Sequence, residues 1–205
     1  MIISREPDRL LPFTDAIVAI AVTLLVLPLV DVVPETARRG GDAVDVVTEN
    51  RPEIVGFLLS FAVIIRLWLA HHRTFQHVRA YSTPLIMWNI GWLLAIIVLP
   101  FPTEMVGVYG DDTFTAAFYI GTVLVASACQ TALDLVIRRD PRVESEDDPL
   151  TPELVTGSAA ATLILAVALA LALALPALNY WTLLLLFLSP VLERAWLRHH
   201  YRRRT

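Results

Sequence analysis

Residues 9–30 read RLLPFTDAIVAIAVTLLVLPLV, and the reading of this stretch decides the fold. Beyond Arg9 it holds one charge, Asp15, in an otherwise apolar run of about the 20 residues that cross a bilayer core. A charge within a span is costly, so such a residue is either tightly partnered or functional. The residues that partner Asp15, and the face of the helix opposite it, are therefore the first things to find.

The surrounding chain supports a membrane protein. Hydrophobic residues make up 56% and charged residues 18% of 205 positions, and mean hydropathy is +0.62. A soluble domain of this length could not bury so much apolar surface. Six apolar segments, at about 11–30, 54–71, 84–101, 113–137, 154–176 and 178–197, each approach the length of a spanning helix. The last two are separated only by the neighbourhood of Ala177, with Pro176 breaking the helix, so a tight hairpin is expected there. The expected fold class is an all-α polytopic membrane protein, with six transmembrane helices in one domain over 1–205.

All 16 basic residues are arginine, and their placement sets the orientation. Arg5 and Arg9 precede the first segment, Arg73 and Arg79 follow the second, and Arg138, Arg139 and Arg142 follow the fourth. Arg198, Arg202, Arg203 and Arg204 end the chain. The loop 102–112 has none. By the positive-inside rule both termini are cytoplasmic, in a bacterial inner (cell) membrane. The basic residues of the first outer loop, Arg38, Arg39 and Arg51, are offset by Glu35, Asp42, Asp45 and Glu49. Asp15, Arg66, Asp134 and Glu193 then all fall at the cytoplasmic side of their segments. An apolar outer half suits a passive path with greasy walls better than a relay of carboxylates.

Single cysteine Cys129 has no intrachain partner, so no disulfide framework is expected. The first apolar run is longer than a signal-peptide core, and Pro28-Leu29-Val30-Asp31 offers no small-residue cleavage site, so it reads as a retained helix. The acidic stretch 138–152, RRDPRVESEDDPLTP, reads as a solvated cytoplasmic linker. The outer loop 34–51 has room for a short helical turn. No Walker motif, no H-E-x-x-H and no T-V-G-Y-G filter loop occurs. Neither an enzyme, a cofactor, a metal nor a nucleic-acid partner is expected.

At 100° per residue, Ile20, Leu24 and Leu27 fall within about 60° of one another, with Thr23 at the edge of that face. Asp15 lies about 140° from Ile20, near Ala19, Val22 and Val26. The helix thus has two faces. Periodicity alone leaves the Ile20 face as an ordinary lipid- or helix-facing surface. Donors for Asp15 are available at Arg66, Trp68, His71 and His72 of the second segment and at Asn89 of the third. His71 and His72 also read as interfacial histidines, and Phe13 and Thr14 as an anchor and a helix-start residue.

The pattern R-x-x-x-F-T-D, formed by Arg9, Phe13, Thr14 and Asp15 and continued by AIVAIAVTLLVL, resembles the signature of the transmembrane protein 175 family of potassium channels. The Trp68-x-x-His71-His72-x-x-Phe75 run and the Trp88-Asn89…Leu99-Pro100-Phe101-Pro102-Thr103 run resemble it too. The resemblance covers segments one to three and is weaker across four to six. It implies a potassium-permeable cation channel in which the first helix lines a central pore. Ile20 would form the narrowest hydrophobic constriction, Leu24 and Leu27 further apolar layers, and Thr23 a determinant of potassium preference. The family usually has serine where Thr14 stands, and one hydroxyl is supplied either way. Animal members carry two copies of the motif and this chain carries one, so the resemblance implies a homotetramer. Two other readings stay open from the residues themselves. One is a small proton-coupled transporter using Asp15 and a histidine. The other is a membrane scaffold packed through Gly157 and Ala161 at small-xxx-small spacing.

Overall fold

The computed structural model describes residues 2–4, 9–109 and 112–174. The sixth expected segment at 178–197, the hairpin at Pro176, Glu193 and the arginines of the C-terminal tail lie outside the described residues. The described residues form ten elements: β1 (Ile2–Ser4), α1 (Leu10–Leu24), α2 (Leu27–Arg38), α3 (Ala43–Glu49), α4 (Arg51–Gln76), β2 (Tyr81–Ser82), α5 (Thr83–Val98), α6 (Pro100–Val108), α7 (Thr113–Arg139) and α8 (Pro152–Ala174). Read as continuous rods, they give five helices long and apolar enough to cross a membrane: Leu10–Arg38, Arg51–Gln76, Thr83–Val108, Thr113–Arg139 and Pro152–Ala174. The chain is an all-α multi-span membrane protein, with one small antiparallel pairing of β1 and β2 added at the base.

Prolines explain where the rods are jointed. Pro28 has no N–H to give the Leu24 carbonyl, so the helix tightens at Leu25–Val26, with Val26 N bonding Thr23 O at 3.4 Å, and restarts as α2. Pro100 does the same between α5 and α6. The first rod therefore runs to Arg38, eight residues beyond the expected 11–30. The loop that follows is more ordered than one turn. Asp42 and Asp45 form a reciprocal capping box over α3, satisfying amides that a seven-residue helix would otherwise leave open. Likewise α4 extends to Gln76, so Arg66 lies about 15 Å short of its end rather than near it.

Lipid tails are as apolar as leucine, so helix association here rests on close packing and interhelical hydrogen bonds. Both are visible. Gly91 of α5 lies against Cys129 of α7, where an added Cβ would stand 3.2 Å from the sulfur. Ala95, Ala126, Ile96, Ile120 and Trp92 fill the seam between these helices, and Trp92, Ile96, Ile120 and Ala126 are fully buried. Two hydroxyl clusters tie the rest. Thr103 of α6 donates to Ser60 of α4, which meets the Tyr119 hydroxyl at 3.1 Å. Thr162 of α8 joins Ser127 and Thr131 of α7, each at 2.9 Å.

The acidic stretch after α7 is not a solvated linker. Val143 and Leu150 are fully buried, packed with Phe75, Val78, Tyr81 and Leu85. Backbone bonds join Arg79 N to Val143 O and Ser145 N to His77 O, and the Arg79 side chain reaches Pro141 O and Glu146. His77 Nδ1 faces both the backbone oxygen and the carboxylate of Asp148. A hydrogen bond from Arg142 holds the Asp140 carboxyl below the usual carboxylate range. The charges point outward while two apolar residues anchor the segment, which a net-acidic reading misses. Arg79→Ala removes most of this tether, and because the contacts are exposed their worth is ~1 kcal/mol or less. We expect limited proteolysis within 142–149 to speed up while global thermal stability stays unchanged; an unchanged cleavage rate would show that the backbone bonds alone hold the segment.

Candidate functional site

The first rod, Leu10–Arg38, divides into two stripes over its α1 part and the start of α2. Thr14, Val18, Ala21 and Leu25 are buried at the spacing of one helical face, packed toward α4 and α5. On the other side Phe13, Ile20, Leu24 and Leu27 are uncovered in the single chain, Ile20 at 59% exposure and Leu27 at 52%. Thr23 is exposed beside them, and its hydroxyl donates to Ile20 O at 2.8 Å. Val22 is half-buried, whereas Ala19 and Val26 are exposed.

The rotation of α1 against its neighbours is fixed by a polar lock at its motif end. Asp15 is half-buried and accepts from Trp68 Nε1 of α4 at 2.8 Å. The Trp68 ring leans on His72, centroids 5.5 Å apart. One residue earlier, Thr14 is fully buried and accepts from Asn89 Nδ2 of α5 at 3.2 Å. The other face of that amide, Asn89 Oδ1, meets His71 Nε2 of α4 at 2.7 Å. With Oδ1 an acceptor only, Nε2 must carry the proton, which leaves Nδ1 an acceptor that finds no partner among the described residues. His71 is sandwiched between Phe75 and Trp92, with ring centroids at 4.3 and 4.2 Å. Three helices are thus pinned by two adjacent motif residues.

These placements sort the candidate residues. Of the donors open to Asp15, Trp68 takes the bond, while His71 and Asn89 serve Thr14. Phe13 and Arg9 are exposed, Arg9 at the N-cap of α1. Arg66 is half-buried and lines a cavity on another side of α4. Trp92, which stacks on His71, carried no signal in the sequence beyond its place in an apolar run. A second buried polar cluster was also missed. Thr74 of α4 and Gln130 of α7 both donate to Asp134 Oδ1, at 2.7 and 3.2 Å. Gln130 and Asp134 stand four apart in an apolar helix, and that spacing is the signal that finds them.

The chain is similar to known proteins over its first half and in its fold. The family described as "Endosomal/lysosomal potassium channel TMEM175" matches residues 9–100, which hold the motif and the whole Thr14–Asn89–His71 lock. A potassium channel of Streptomyces collinus is 31% identical over 127 residues, 60% of each chain. A potassium channel of Chamaesiphon minutus is 34% identical over 104 residues, 51% of each chain. The match therefore spans about half to three-fifths of the length of these relatives. The crystal structure of a lysosomal potassium-selective channel TMEM175 homolog from Chamaesiphon minutus superposes with a TM-score of 0.73 at 25% identity, covering 90% of this chain and 96% of that one. Residues 9–100 thus match the TMEM175 family model, and the helix order resembles that of a solved TMEM175 homolog.

Proposed function

We propose that this chain is a subunit of a potassium-permeable channel, four copies of which surround a pore lined by the uncovered stripe of α1. The observation that carries the proposal is the pairing of that stripe with the lock behind it. A helix whose inner face is pinned to α4 and α5 presents Ile20, Leu24 and Leu27 in a set direction, without a polar group among them. One such helix encloses nothing, so the pore is an assembly with closed symmetry. Apolar rings of this kind control ion passage by wetting and dewetting. The choice of potassium rests on the prokaryotic relatives, which are named for it, whereas the animal relatives are named proton channels. By the distribution of arginines, the end bearing Arg73, Arg79 and Arg138 faces the cytoplasm. No catalytic role is assigned.

The test is flux into sealed vesicles containing the purified chain. Potassium entry should follow the electrochemical gradient with no stoichiometric proton movement, and native cross-linking should reach tetramers. Coupled proton movement would instead support a transporter, and cross-linking that stops at dimers would remove the pore. The transporter reading finds little support in the lock, since Asp15 and His71 are held by different partners rather than by each other.

The Asp15 carboxylate is read here as an anchor rather than an ion site. Asp15→Asn keeps the shape but removes the charge that strengthens the bond from Trp68, an effect of roughly 1–2 kcal/mol. Tetramer yield and thermal stability should fall while the potassium-to-sodium flux ratio of the assembled fraction stays at the wild-type value. A normal tetramer with altered selectivity would move Asp15 to the ion path.

A further inference from the structure

A cavity of about 610 Å³ opens between α4, α7 and α8, and the character of its wall changes along its length. At the arginine-rich end stand Arg73, Thr74, Gln130, Asp134 and Ser158. About 18 Å further along α4, at 1.5 Å per residue, it is walled by Phe61, Val63, Val123 and Leu165. Gly157 and Ala161 of α8 form part of its wall between the two ends, so these small residues leave room at this face.

The polar end is built from buried acceptors. Asp134 is 2% exposed, and Thr74, Gln130 and Ser158 all bond to its carboxyl. Gln130 is 4% exposed; its amide nitrogen serves Thr74 and Asp134, but its Oε1 is buried and without a hydrogen bond among the described residues. In hydrocarbon surroundings a carbonyl oxygen without a donor is costly, and so is a carboxylate without a counter-charge. What completes this end is a group bearing several N–H donors and positive charge. At the rim Arg73 is exposed and offers a cation to an anionic group. The opposite end is walled mostly by apolar side chains, Arg66 being the one charge on that stretch of α4, so hydrocarbon fills it best, because an apolar void forfeits the dispersion contacts of its walls. Donor-rich cation, anion and hydrocarbon, in that order, describe one chemical class.

We propose that this cavity is a binding site for a phospholipid with a primary-ammonium head. The ammonium lies on Gln130 Oε1 and Asp134, the phosphate at Arg73, and the upper part of an acyl chain along Phe61, Val123 and Leu165. The volume takes a headgroup and part of one chain and leaves the rest in the bilayer. A choline head, whose nitrogen carries three methyl groups, has the same charge and no N–H to give. The site uses no residue of α1 and stands independently of the pore reading.

The experiment titrates the delipidated, purified full chain with phosphatidylethanolamine, phosphatidylcholine or phosphatidylglycerol of matched acyl chains, and reads retained lipid by native mass spectrometry. Phosphatidylethanolamine should be retained about tenfold or more over phosphatidylcholine, the difference expected of one charge-assisted hydrogen-bonded contact. Gln130→Met, which keeps the shape and removes the acceptor, should erase that preference. Ala161→Phe, which fills the cavity from α8 without touching the polar cluster, should abolish retention; it decides the matter alone if the Gln130 variant does not fold. Equal retention of the ethanolamine and choline lipids overturns the proposal. So does a preference that survives Ala161→Phe, and so does tightest retention of phosphatidylglycerol, which would make the arginines and not the acceptors the recognising groups.

Discussion

Asn89→Leu should cost this protein more stability than any other single exchange in the lock, because one side chain serves two buried partners on two other helices. Its Nδ2 serves Thr14 Oγ1 and its Oδ1 serves His71 Nε2, and all three residues are fully buried. Leucine is close in size, so packing is nearly kept and the loss is polar. It leaves a histidine N–H and a threonine hydroxyl without their partner, and a buried group so orphaned costs about 1–3 kcal/mol in mutational series. Interhelical hydrogen bonds in membranes average nearer 0.6 kcal/mol, because the separated helices also find partners. For two fully buried groups we expect the sum to lie at roughly 2–3 kcal/mol. Thermal unfolding in detergent micelles should show a clear downward shift, with loss of assembled protein. Leu94→Ala, a residue of the same helix that is 61% exposed, serves as the control and should shift little. Equal shifts in the two variants would mean that α1 is held by its apolar contacts and that the lock only decorates them.

How much of this was legible in the sequence depended on the kind of force involved. Span positions were readable because crossing a bilayer demands uninterrupted apolar length, and α7 begins at Thr113 as expected and ends at Arg139, two residues past the expected end. The separation of Asp15 from Ile20 was readable because helical pitch sets it. The donor to Asp15 was narrowed to five residues and no further, since choosing Trp68 among them depends on how α4 rotates against α1, which local spacing does not encode. The segment after α7 was misread because composition averages over residues. Eight charges in 138–148 outvote Val143 and Leu150, yet those two alone decide burial. The Asp134 cluster was missed for the reverse reason. Its members sit on separate helices, and only Gln130 and Asp134 share a local spacing; Thr74 joins them through packing.

If Ile20 lines the proposed pore, Ile20→Asn should open it, and this follows from the same rotation of α1 that the lock sets. In the proposed tetramer four isoleucine side chains would face a common axis and offer an ion nothing in exchange for its hydration shell, so that neck would exclude water unless it widened. Asparagine has similar volume and brings one acceptor and two donors at each of four positions, enough to hold water there. Each ~1.4 kcal/mol removed from the barrier raises passage about tenfold. Basal potassium flux should therefore rise about tenfold or more, and sodium should gain proportionally more, since a wetted polar neck discriminates less. Thr23→Ala tests the layer above. The Thr23 hydroxyl already donates to Ile20 O at 2.8 Å, so only its lone pairs remain for an ion or water, and the helix keeps its backbone bonds without it. That variant should lower potassium preference with little change in total flux. The two variants thus separate opening from choosing, measured as potassium and sodium entry into vesicles at equal tetramer content. Unchanged flux in Ile20→Asn, with the tetramer intact, would put the narrowest point elsewhere and return Ile20 to an ordinary lipid- or helix-facing role.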